Sequence, residues 1–314
     1  MQIVGRLAPS PTGHLHLGHA RSFLVAWWHA RARGGRVVLR IEDLDVERVK
    51  PGMLDETLRD LEWLGLDWDG SPWIQSAGLS RIQAAADELV ARGLAYPCVC
   101  TRREIEAAQS APHAGEAGER YPGTCRGRFD SVEAAEHESG RKAALRFVVQ
   151  AGVVEFEDGV LGAQAFDVDA TVGDFPILRR AGFPAYQLAV VVDDARQGVS
   201  EIVRGADLVD STARQVLLQR ALGYARPRWW HIPLVVDAAG RRFAKRSDDI
   251  ALARLRALGV APESLVAWVA RRSGIPFAEP ASARDFAPEF DMQRLPQAPV
   301  IATPAALREL HPAL

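Results

Sequence analysis

The chain has 314 residues, with 38 lysines and arginines against 40 aspartates and glutamates, which gives a formal net charge of −2. This balance excludes a protein that binds nucleic acid through overall basicity, although it leaves room for a local basic surface. Because 48% of the residues are hydrophobic, the chain can bury a substantial core. The length fits one large domain with an insertion, or two domains.

The N-terminal segment and the cysteines indicate the compartment. Residues 1–6 lack a basic segment followed by an apolar core, so we expect no signal peptide, and no apolar run reaches membrane-spanning length. The three cysteines all lie between Cys98 and Cys125, a clustering that favours metal binding over a disulfide framework. We therefore expect a cytoplasmic protein with no membrane partner.

The first hundred residues alternate between strand-like and helix-like segments. The expected elements are a strand over 2–7, a helix over 20–32, a strand over 37–43, and helices over 51–65 and 79–92. The second strand ends in Glu42 and Asp43, and ligands in open α/β sheets bind at that carboxyl edge. The alternation predicts an α/β fold with a doubly wound parallel (Rossmann-type) sheet.

This alternation breaks at Tyr96 and returns after about Phe175, which predicts an inserted α+β subdomain with short strands over 144–149 and 153–156. The strand and helix rhythm is expected to resume with 186–194, 201–205, a helix over 211–222, and 231–236. A helical C-terminal appendix follows. The predicted boundaries are 1–95 and 176–247 for the halves of the sheet domain, 96–175 for the insert and 248–314 for the appendix.

Residues 9–19, Pro-Ser-Pro-Thr-Gly-His-Leu-His-Leu-Gly-His, join the first strand to the first helix. Helix N-termini offer unpaired N–H groups to anions, and Gly18 lets a ligand approach the backbone. His16 and His19 can donate hydrogen bonds to phosphate oxygens that gain charge during phosphoryl or nucleotidyl transfer. The stretch therefore predicts a nucleotide-phosphate site.

The same stretch resembles the HIGH signature of class I aminoacyl-tRNA synthetases, in the form used by the glutamyl branch. A second segment, 242–246, is similar to the KMSKS loop of that class, with Phe243 and Ala244 where the glutamyl branch usually has Leu and Ser. A lysine ammonium in this loop suits a separating pyrophosphate. The resemblance implies that ATP, with Mg²⁺, is bound by His16, Gly18, His19 and Lys245, and that His16, His19 and Lys245 are catalytic.

A glutamate pocket must neutralise two carboxylates and one ammonium, so it needs arginines and a carboxylate in a confined space. The resemblance implies such a set, which comprises Arg6, Ala8, Ser10, Glu42, Tyr186 and Arg204. Within it, Glu42 would hold the ammonium, and Tyr186 and Arg204 would close the pocket. Val190 departs from the family, because many full-length glutamyl enzymes carry asparagine there.

The cysteine spacing suits a tetrahedral zinc site that lacks one ligand, with Cys98, Cys100 and Cys125 as the thiolates. His113 is a generic fourth candidate. Tyr121 matches the pattern Cys-x-Cys and Tyr-x-x-x-Cys of the short glutamyl-synthetase paralogues, and we favour it. Three reduced cysteines without a metal are the alternative, although clustered thiolates readily capture zinc. We expect one structural Zn²⁺ per chain.

The resemblance covers most of the chain and is closest to the glutamyl-Q tRNA(Asp) synthetases. It implies activation of L-glutamate to glutamyl-adenylate without tRNA. It further implies transfer of the glutamate to queuosine at the wobble position of tRNA(Asp), with the anticodon stem-loop as partner. We expect a monomer. Six arginines are candidate phosphate contacts, namely Arg126, Arg128, Arg254, Arg256, Arg271 and Arg272.

Two alternatives remain at this point. A truncated glutamyl-tRNA synthetase would charge the 3′ end of tRNA(Glu), but about 65 residues after the basic loop are too few for a pair of anticodon domains. A non-catalytic adenylate-binding paralogue is the second, and the retention of His16, His19 and Lys245 speaks against it.

Overall fold

The computed structural model describes residues 2–109, 120–241 and 250–314. Its strands are β1 (Val4–Leu7), β2 (Arg36–Ile41), β3 (Trp73–Ile74), β4 (Ala95–Cys98), β5 (Ala144–Phe147), β6 (Val153–Asp158), β7 (Gly162–Asp167), β8 (Pro176–Leu178), β9 (Glu201–Gly205), β10 (Arg228–Ile232), β11 (Val235–Val236) and β12 (Val300–Ile301). Its α-helices are α1 (Leu17–Arg31), α2 (Met53–Trp63), α3 (Leu79–Ala91), α4 (Arg102–Gln109), α5 (Val132–Ser139), α6 (Val168–Thr171), α7 (Tyr186–Gln197), α8 (Val209–Leu222), α9 (Leu252–Ala257), α10 (Pro262–Arg271), α11 (Ala283–Phe286) and α12 (Pro304–Arg308). No helix within the described ranges has the length and apolarity needed to cross a membrane.

Parallel strands form the centre of the fold. β2 lies between β1 and β3, and β10 lies between β9 and β6, with parallel pairing throughout. The two groups meet beside β9, where the Ser200 N–H donates to the Val4 carbonyl over 2.9 Å and the Val4 N–H donates to the Ser200 hydroxyl. The resulting order β3-β2-β1-β9-β10-β6 agrees with the parallel α/β fold predicted from the sequence.

Two apolar cores flank these strands. Successive side chains of a strand point to opposite faces, and accordingly Val37 and Leu39 join one core while Val38 joins the other. The first core contains α1, whose buried Trp28 donates its indole N–H to the Ala283 carbonyl over 2.7 Å. The second core contains α3, α7 and α8. The central sheet is therefore covered on both faces.

The inserted segment contributes to two sheets. β4, β5 and β8 form an antiparallel sheet of their own, whereas the β6–β7 hairpin extends the central sheet through β6, with Asp158 opposite Trp229. The division at residues 96 and 175 stays a prediction, since the strands between these positions do not all belong to one unit.

Two parts of the chain differ from the expected alternation of strands and helices. The apolar run 186–194 forms helix α7 and no strand, because its valines are buried among neighbouring helices and strands and show no clear period. The C-terminal segment has the predicted helices, but it also supplies β12, which pairs with β11, and its Trp268 and Phe286 belong to the same core as α1. The predicted appendix is thus integrated into the main domain.

Candidate active site and cysteine cluster

The N-terminus of α1 is closed by two histidines. His16 is the N-cap, and its Nδ1 accepts the Gly18 N–H over 3.1 Å, while His19 Nδ1 accepts the His16 N–H over 3.2 Å. A neutral imidazole whose Nδ1 accepts carries its proton on Nε2. Each ring therefore presents an Nε2–H donor. A Cβ at Gly18 would lie 3.0 Å from the His16 ring, so a larger residue would displace that ring.

Residues after the basic segment lie against the N-terminus of α1. Ala251 forms a β-bridge with His16, and the Leu252 N–H donates to the Leu15 carbonyl over 2.8 Å. On the other side of the basic segment, Val235 lines the same cavity as the two histidines. Lys245, together with the rest of 242–249, lies outside the described residues, so its role stays a prediction. Both flanks of its segment reach the N-terminus of α1.

One cavity of about 720 Å³ opens at the carboxyl ends of β1, β2 and β9. Its lining includes nine residues predicted for the ATP and glutamate sites, which are Arg6, Ala8, Ser10, His16, Gly18, His19, Glu42, Tyr186 and Arg204. The structure thus brings together every described residue of that set. Val190 faces the second core with 1% exposure and does not line the cavity.

Buried ion pairs hold Glu42 in place in the wall of this cavity. Arg40, which is fully buried, donates to Glu42 Oε1 over 3.1 Å and to Asp194 Oδ1 over 2.7 Å. Asp194 Oδ1 also lies 3.4 Å from Arg6 Nε. Burial raises the pKa of Glu42, while the charges of Arg40 and Arg6 oppose that shift. The bond from the Ser10 hydroxyl to the Glu42 carbonyl, at 2.9 Å, holds the backbone there.

A second network fixes Arg204 on β9. Its Nε donates to His231 Nε2 over 3.0 Å, and its Nη2 donates to the Thr212 hydroxyl over 2.7 Å. His231 Nδ1 lies 2.6 Å from Asp158 Oδ2, so a neutral ring keeps its proton on the Asp158 side. Burial lowers the pKa of His231, although the bond to Asp158 acts in the opposite direction. Arg204 Nη1 is buried and has no hydrogen-bond partner within 2–109, 120–241 and 250–314.

The cavity is chemically complementary to an acidic amino acid. Arg6 and Arg204 are 6% and 5% exposed, and both line it. A buried guanidinium with an unused N–H group favours a carboxylate ligand, because the anion satisfies both its charge and its hydrogen bond. Glu42 supplies the opposite charge for an ammonium group. Tyr186, with 41% of its surface exposed, closes the arrangement beside Arg204.

Three supporting residues were missed in the sequence. Arg40 stands between the apolar residues Leu39 and Ile41 of β2, and a buried charge there signals a partner, which proves to be Asp194. His231 likewise lies between the apolar residues Trp230 and Ile232 of β10. Its partner Asp158 is 73 positions away in the insert, so no local pattern could have paired them.

The three cysteines meet in the core of the insert. Their Sγ atoms all lie within 4.8 Å of one another, and Cys100 Sγ is 3.4 Å from Cys125 Sγ. The Tyr121 hydroxyl lies 3.4 Å from Cys98 Sγ and 3.6 Å from Cys100 Sγ. Zinc–sulfur bonds of about 2.3 Å in a tetrahedron need sulfur atoms at such separations. The donor set therefore fits a zinc ion.

Tyr121 is held in place by a glycine. Its N–H donates to the Val172 carbonyl over 2.8 Å, and Gly173, at φ +67°, approaches so closely that a Cβ would lie 2.4 Å from the Tyr121 carbonyl. The Cys125 N–H donates to the Tyr121 hydroxyl over 2.9 Å. These contacts place the phenol against the sulfur atoms. His113, the other candidate ligand, lies outside the described residues.

The chain belongs to the class I tRNA synthetases for glutamate and glutamine. The family model of the catalytic domain, "tRNA synthetases class I (E and Q), catalytic domain", matches residues 2–301. Among individual relatives, the chain is 44% identical to a glutamyl-Q tRNA(Asp) synthetase of Symbiobacterium thermophilum, over 95% of both chains. The family predicted from the HIGH-like and KMSKS-like segments is thereby confirmed.

Longer members of the family are also similar. The chain is 38% identical to a glutamate–tRNA ligase of Synechococcus sp., with 95% of this chain and 63% of that protein aligned. The crystal structure of a glutamate tRNA ligase from Elizabethkingia meningosepticum, in complex with its amino acid, superposes with a TM-score of 0.83 at 25% identity. That alignment covers 98% of this chain and 68% of the ligase.

Proposed function

We propose that the protein activates L-glutamate with ATP, without tRNA, and transfers it to queuosine at the wobble position of tRNA(Asp). The observation that carries the activation step is the cavity in which Arg6 and Arg204 oppose Glu42 beside the N-terminus of α1. The acceptor is inferred from relatives that are named glutamyl-Q tRNA(Asp) synthetases and are 41% to 46% identical over nearly the full chain.

In the first step, a glutamate α-carboxylate oxygen forms a bond to the α-phosphorus of ATP. The bond from that phosphorus to the bridging oxygen breaks, so pyrophosphate leaves and glutamyl-adenylate remains. Arg6 and Arg204 hold the carboxylates and Glu42 holds the ammonium. The Nε2–H groups of His16 and His19 donate to phosphate oxygens that gain charge, alongside the Mg²⁺ carried by ATP. Positioning and electrostatics supply the catalysis, with no covalent enzyme intermediate.

In the second step, a hydroxyl of the queuosine cyclopentene-diol attacks the acyl carbon of the adenylate. An ester forms, the bond from the acyl carbon to the phosphate oxygen breaks, and AMP leaves with that electron pair and takes up the hydroxyl proton. The same-class alternative, charging of the tRNA(Glu) 3′ end, is less well supported, because the glutamate–tRNA ligase relative is 38% identical and the glutamyl-Q relatives exceed 40%. A monomeric state remains our prediction.

The exchange of labelled pyrophosphate into ATP distinguishes a glutamate-activating enzyme from a non-catalytic protein that only binds adenylate. We expect glutamate-dependent exchange in the absence of tRNA, and we expect Lys245→Ala to lower its rate by about 10² or more, the loss of one preorganised charge contact. Lys142→Ala is the matched control, since Lys142 is exposed and paired with Glu136 in the insert. Near wild-type exchange in Lys245→Ala would show that the basic segment has another role.

We also propose that Cys98, Cys100 and Cys125, together with Tyr121, hold one structural Zn²⁺. Cys125→Ser should reduce the zinc content of the purified protein from about one equivalent to none and loosen the insert, because metal binding contributes directly to folding there. The central sheet should stay folded, which far-ultraviolet circular dichroism would follow. Absence of stoichiometric metal from protein purified without chelator would contradict the assignment.

A further inference from the structure

The arginines that the sequence offered as phosphate contacts already have carboxylate partners. Five of the six form ion pairs within the chain, which are Arg126 with Asp174, Arg128 with Glu138, Arg256 with Glu56 and Asp60, and Arg271 and Arg272 with Glu309. Each of these guanidinium groups already has a carboxylate beside it, which offsets its charge and repels a phosphate. These residues are therefore weak candidates for RNA contact.

A different arginine cluster lines a second cavity, of about 570 Å³, between the cysteine cluster and helix α8. Its five members, which we call the arginine cluster, are Arg102, Arg146, Arg179, Arg180 and Arg214. None of the described residues that line this cavity is acidic. On a chain with a net charge of −2, the cavity is a local concentration of positive charge.

Main-chain carbonyls contact two members of this cluster. Arg180 Nη2 donates to the carbonyls of Val99 and Cys100 over 3.3 and 3.0 Å. Arg146 Nη1 donates to the Asp174 carbonyl over 2.7 Å, and its guanidinium stacks 3.8 Å from the Tyr121 ring. Main-chain carbonyls orient a guanidinium without neutralising it, so Arg180 keeps its full charge available for an anion, whereas Arg146 Nε already donates to Cys98 Sγ over 3.2 Å.

Two further members have weak acidic contacts. Arg179 is 3.9 Å from Asp45, and Arg214 is 3.5 Å from Asp210. Arg214 Nε is buried and makes no hydrogen bond to the part of the chain that the structure describes. Ion pairs at these separations are worth little, so an incoming phosphate would compete with them easily.

The arginine cluster is connected through α7 and α8 to the 720 Å³ cavity that holds the proposed glutamate site, which we call the glutamate cavity. Arg214 Nη2 donates to the Ser211 hydroxyl over 2.9 Å, and that hydroxyl accepts from Gln187, the neighbour of Tyr186 in the glutamate cavity. A polymer whose acceptor group enters one cavity can therefore occupy the other with its adjoining backbone.

The turn that carries Arg179 and Arg180 also presents an aromatic ring. Ala181 has φ +61°, a left-handed conformation that is rare without glycine, and Phe183 at the end of the turn is 46% exposed. Strained backbone of this kind clusters at ligand-binding turns. Arginines beside an exposed aromatic ring are typical of binding sites for single-stranded nucleic acid. The bases stack on the ring while the guanidinium groups contact phosphates.

We infer that the arginine cluster binds the sugar–phosphate backbone of the anticodon-loop nucleotides that flank the acceptor base, with Phe183 available for a neighbouring base. The inference rests on the proposed function for the identity of the RNA. The binding itself follows from charge and does not depend on whether glutamate is transferred.

The test is the double variant Arg179→Gln/Arg180→Gln, compared with the matched variant Arg128→Gln/Arg141→Gln. The control removes two exposed insert arginines that are paired with Glu138 and Glu104. We expect the dissociation constant for queuosine-containing tRNA(Asp), measured by filter binding, to rise about tenfold in the first variant and to stay near wild type in the control. The slope of log affinity against log salt should fall by about 1 or more, as for lost phosphate contacts.

Glutamate-dependent pyrophosphate exchange without tRNA serves as the folding readout, and it should stay within about twofold of wild type, because the turn is separate from the residues assigned to adenylate formation. Unchanged tRNA affinity and salt slope in the first variant would overturn the inference. An increase in the KM for ATP with unchanged tRNA binding would also overturn it, because the cavity would then serve the nucleotide. Failure of the wild-type protein to glutamylate bound tRNA would contradict the proposed function instead.

Discussion

Replacement of Arg204 by alanine is expected to lower kcat/KM for glutamate in pyrophosphate exchange by about 10² to 10³. The guanidinium is 5% exposed and its Nη1 has no hydrogen-bond partner among the described residues, so the glutamate carboxylate would lose a charged hydrogen bond and remain buried without compensation. Removal of one partner of a buried charge pair costs about 2 to 5 kcal/mol. The measurement is the exchange rate over a range of glutamate concentrations.

The conservative variant Arg204→Lys should recover only part of this loss, because an ammonium cannot bond His231, Thr212 and a carboxylate in one plane. Arg228→Ala is the control, since Arg228 is exposed at the start of the adjoining strand β10. If Arg204→Ala left the dependence on glutamate unchanged, Arg204 would not contact the substrate.

His16→Asn should reduce the exchange kcat by about 10² to 10³, the usual cost of one donor to a developing oxyanion. Asparagine is a favourable N-cap, so its side chain can replace His16 Nδ1 as the acceptor for the Gly18 N–H. It cannot reproduce the Nε2–H donor in the same position. We therefore expect a large kinetic loss with little change in thermal stability.

Ser131→Ala provides the complementary control. It removes the N-cap of α5, where the Ser131 hydroxyl accepts the Ala134 N–H over 3.1 Å, and should cost about 1 kcal/mol of stability without altering exchange. Wild-type kinetics in His16→Asn would restrict His16 to helix capping and remove it from the reaction.

Local sequence patterns, either a run of β-branched apolar residues or apolar residues at helical spacing, predicted several elements correctly. The strand over 37–43 corresponds to β2, and the helix over 79–92 corresponds to α3, whose apolar residues face one side. Helix α7 was missed because its consecutive buried valines carry no helical period. Strand β12 is two residues long and pairs with β11, 65 positions earlier, a pairing that only tertiary structure can fix.

The residues of the 720 Å³ cavity also divide into those that the sequence could predict and those that it could not. Residues that we propose to contact a substrate were predicted through the family resemblance, and the structure assembles Arg6, Glu42 and Arg204 around one space. The residues that orient them could not be predicted, because Arg40 reaches Asp194 across 154 positions and His231 reaches Asp158 across 73. Long-range hydrogen bonds leave no periodic trace in a sequence.

The most direct test of the account is the fate of labelled glutamate on tRNA. The protein is incubated with ATP, Mg²⁺, labelled glutamate and one of three RNAs, namely queuosine-containing tRNA(Asp), the same tRNA without queuosine, or tRNA(Glu), and the RNA is digested to locate the label. The account predicts label in the anticodon fragment of the queuosine-containing tRNA and none on the tRNA that lacks the base. Label esterified to the terminal adenosine of tRNA(Glu) would contradict it and identify a glutamyl-tRNA synthetase.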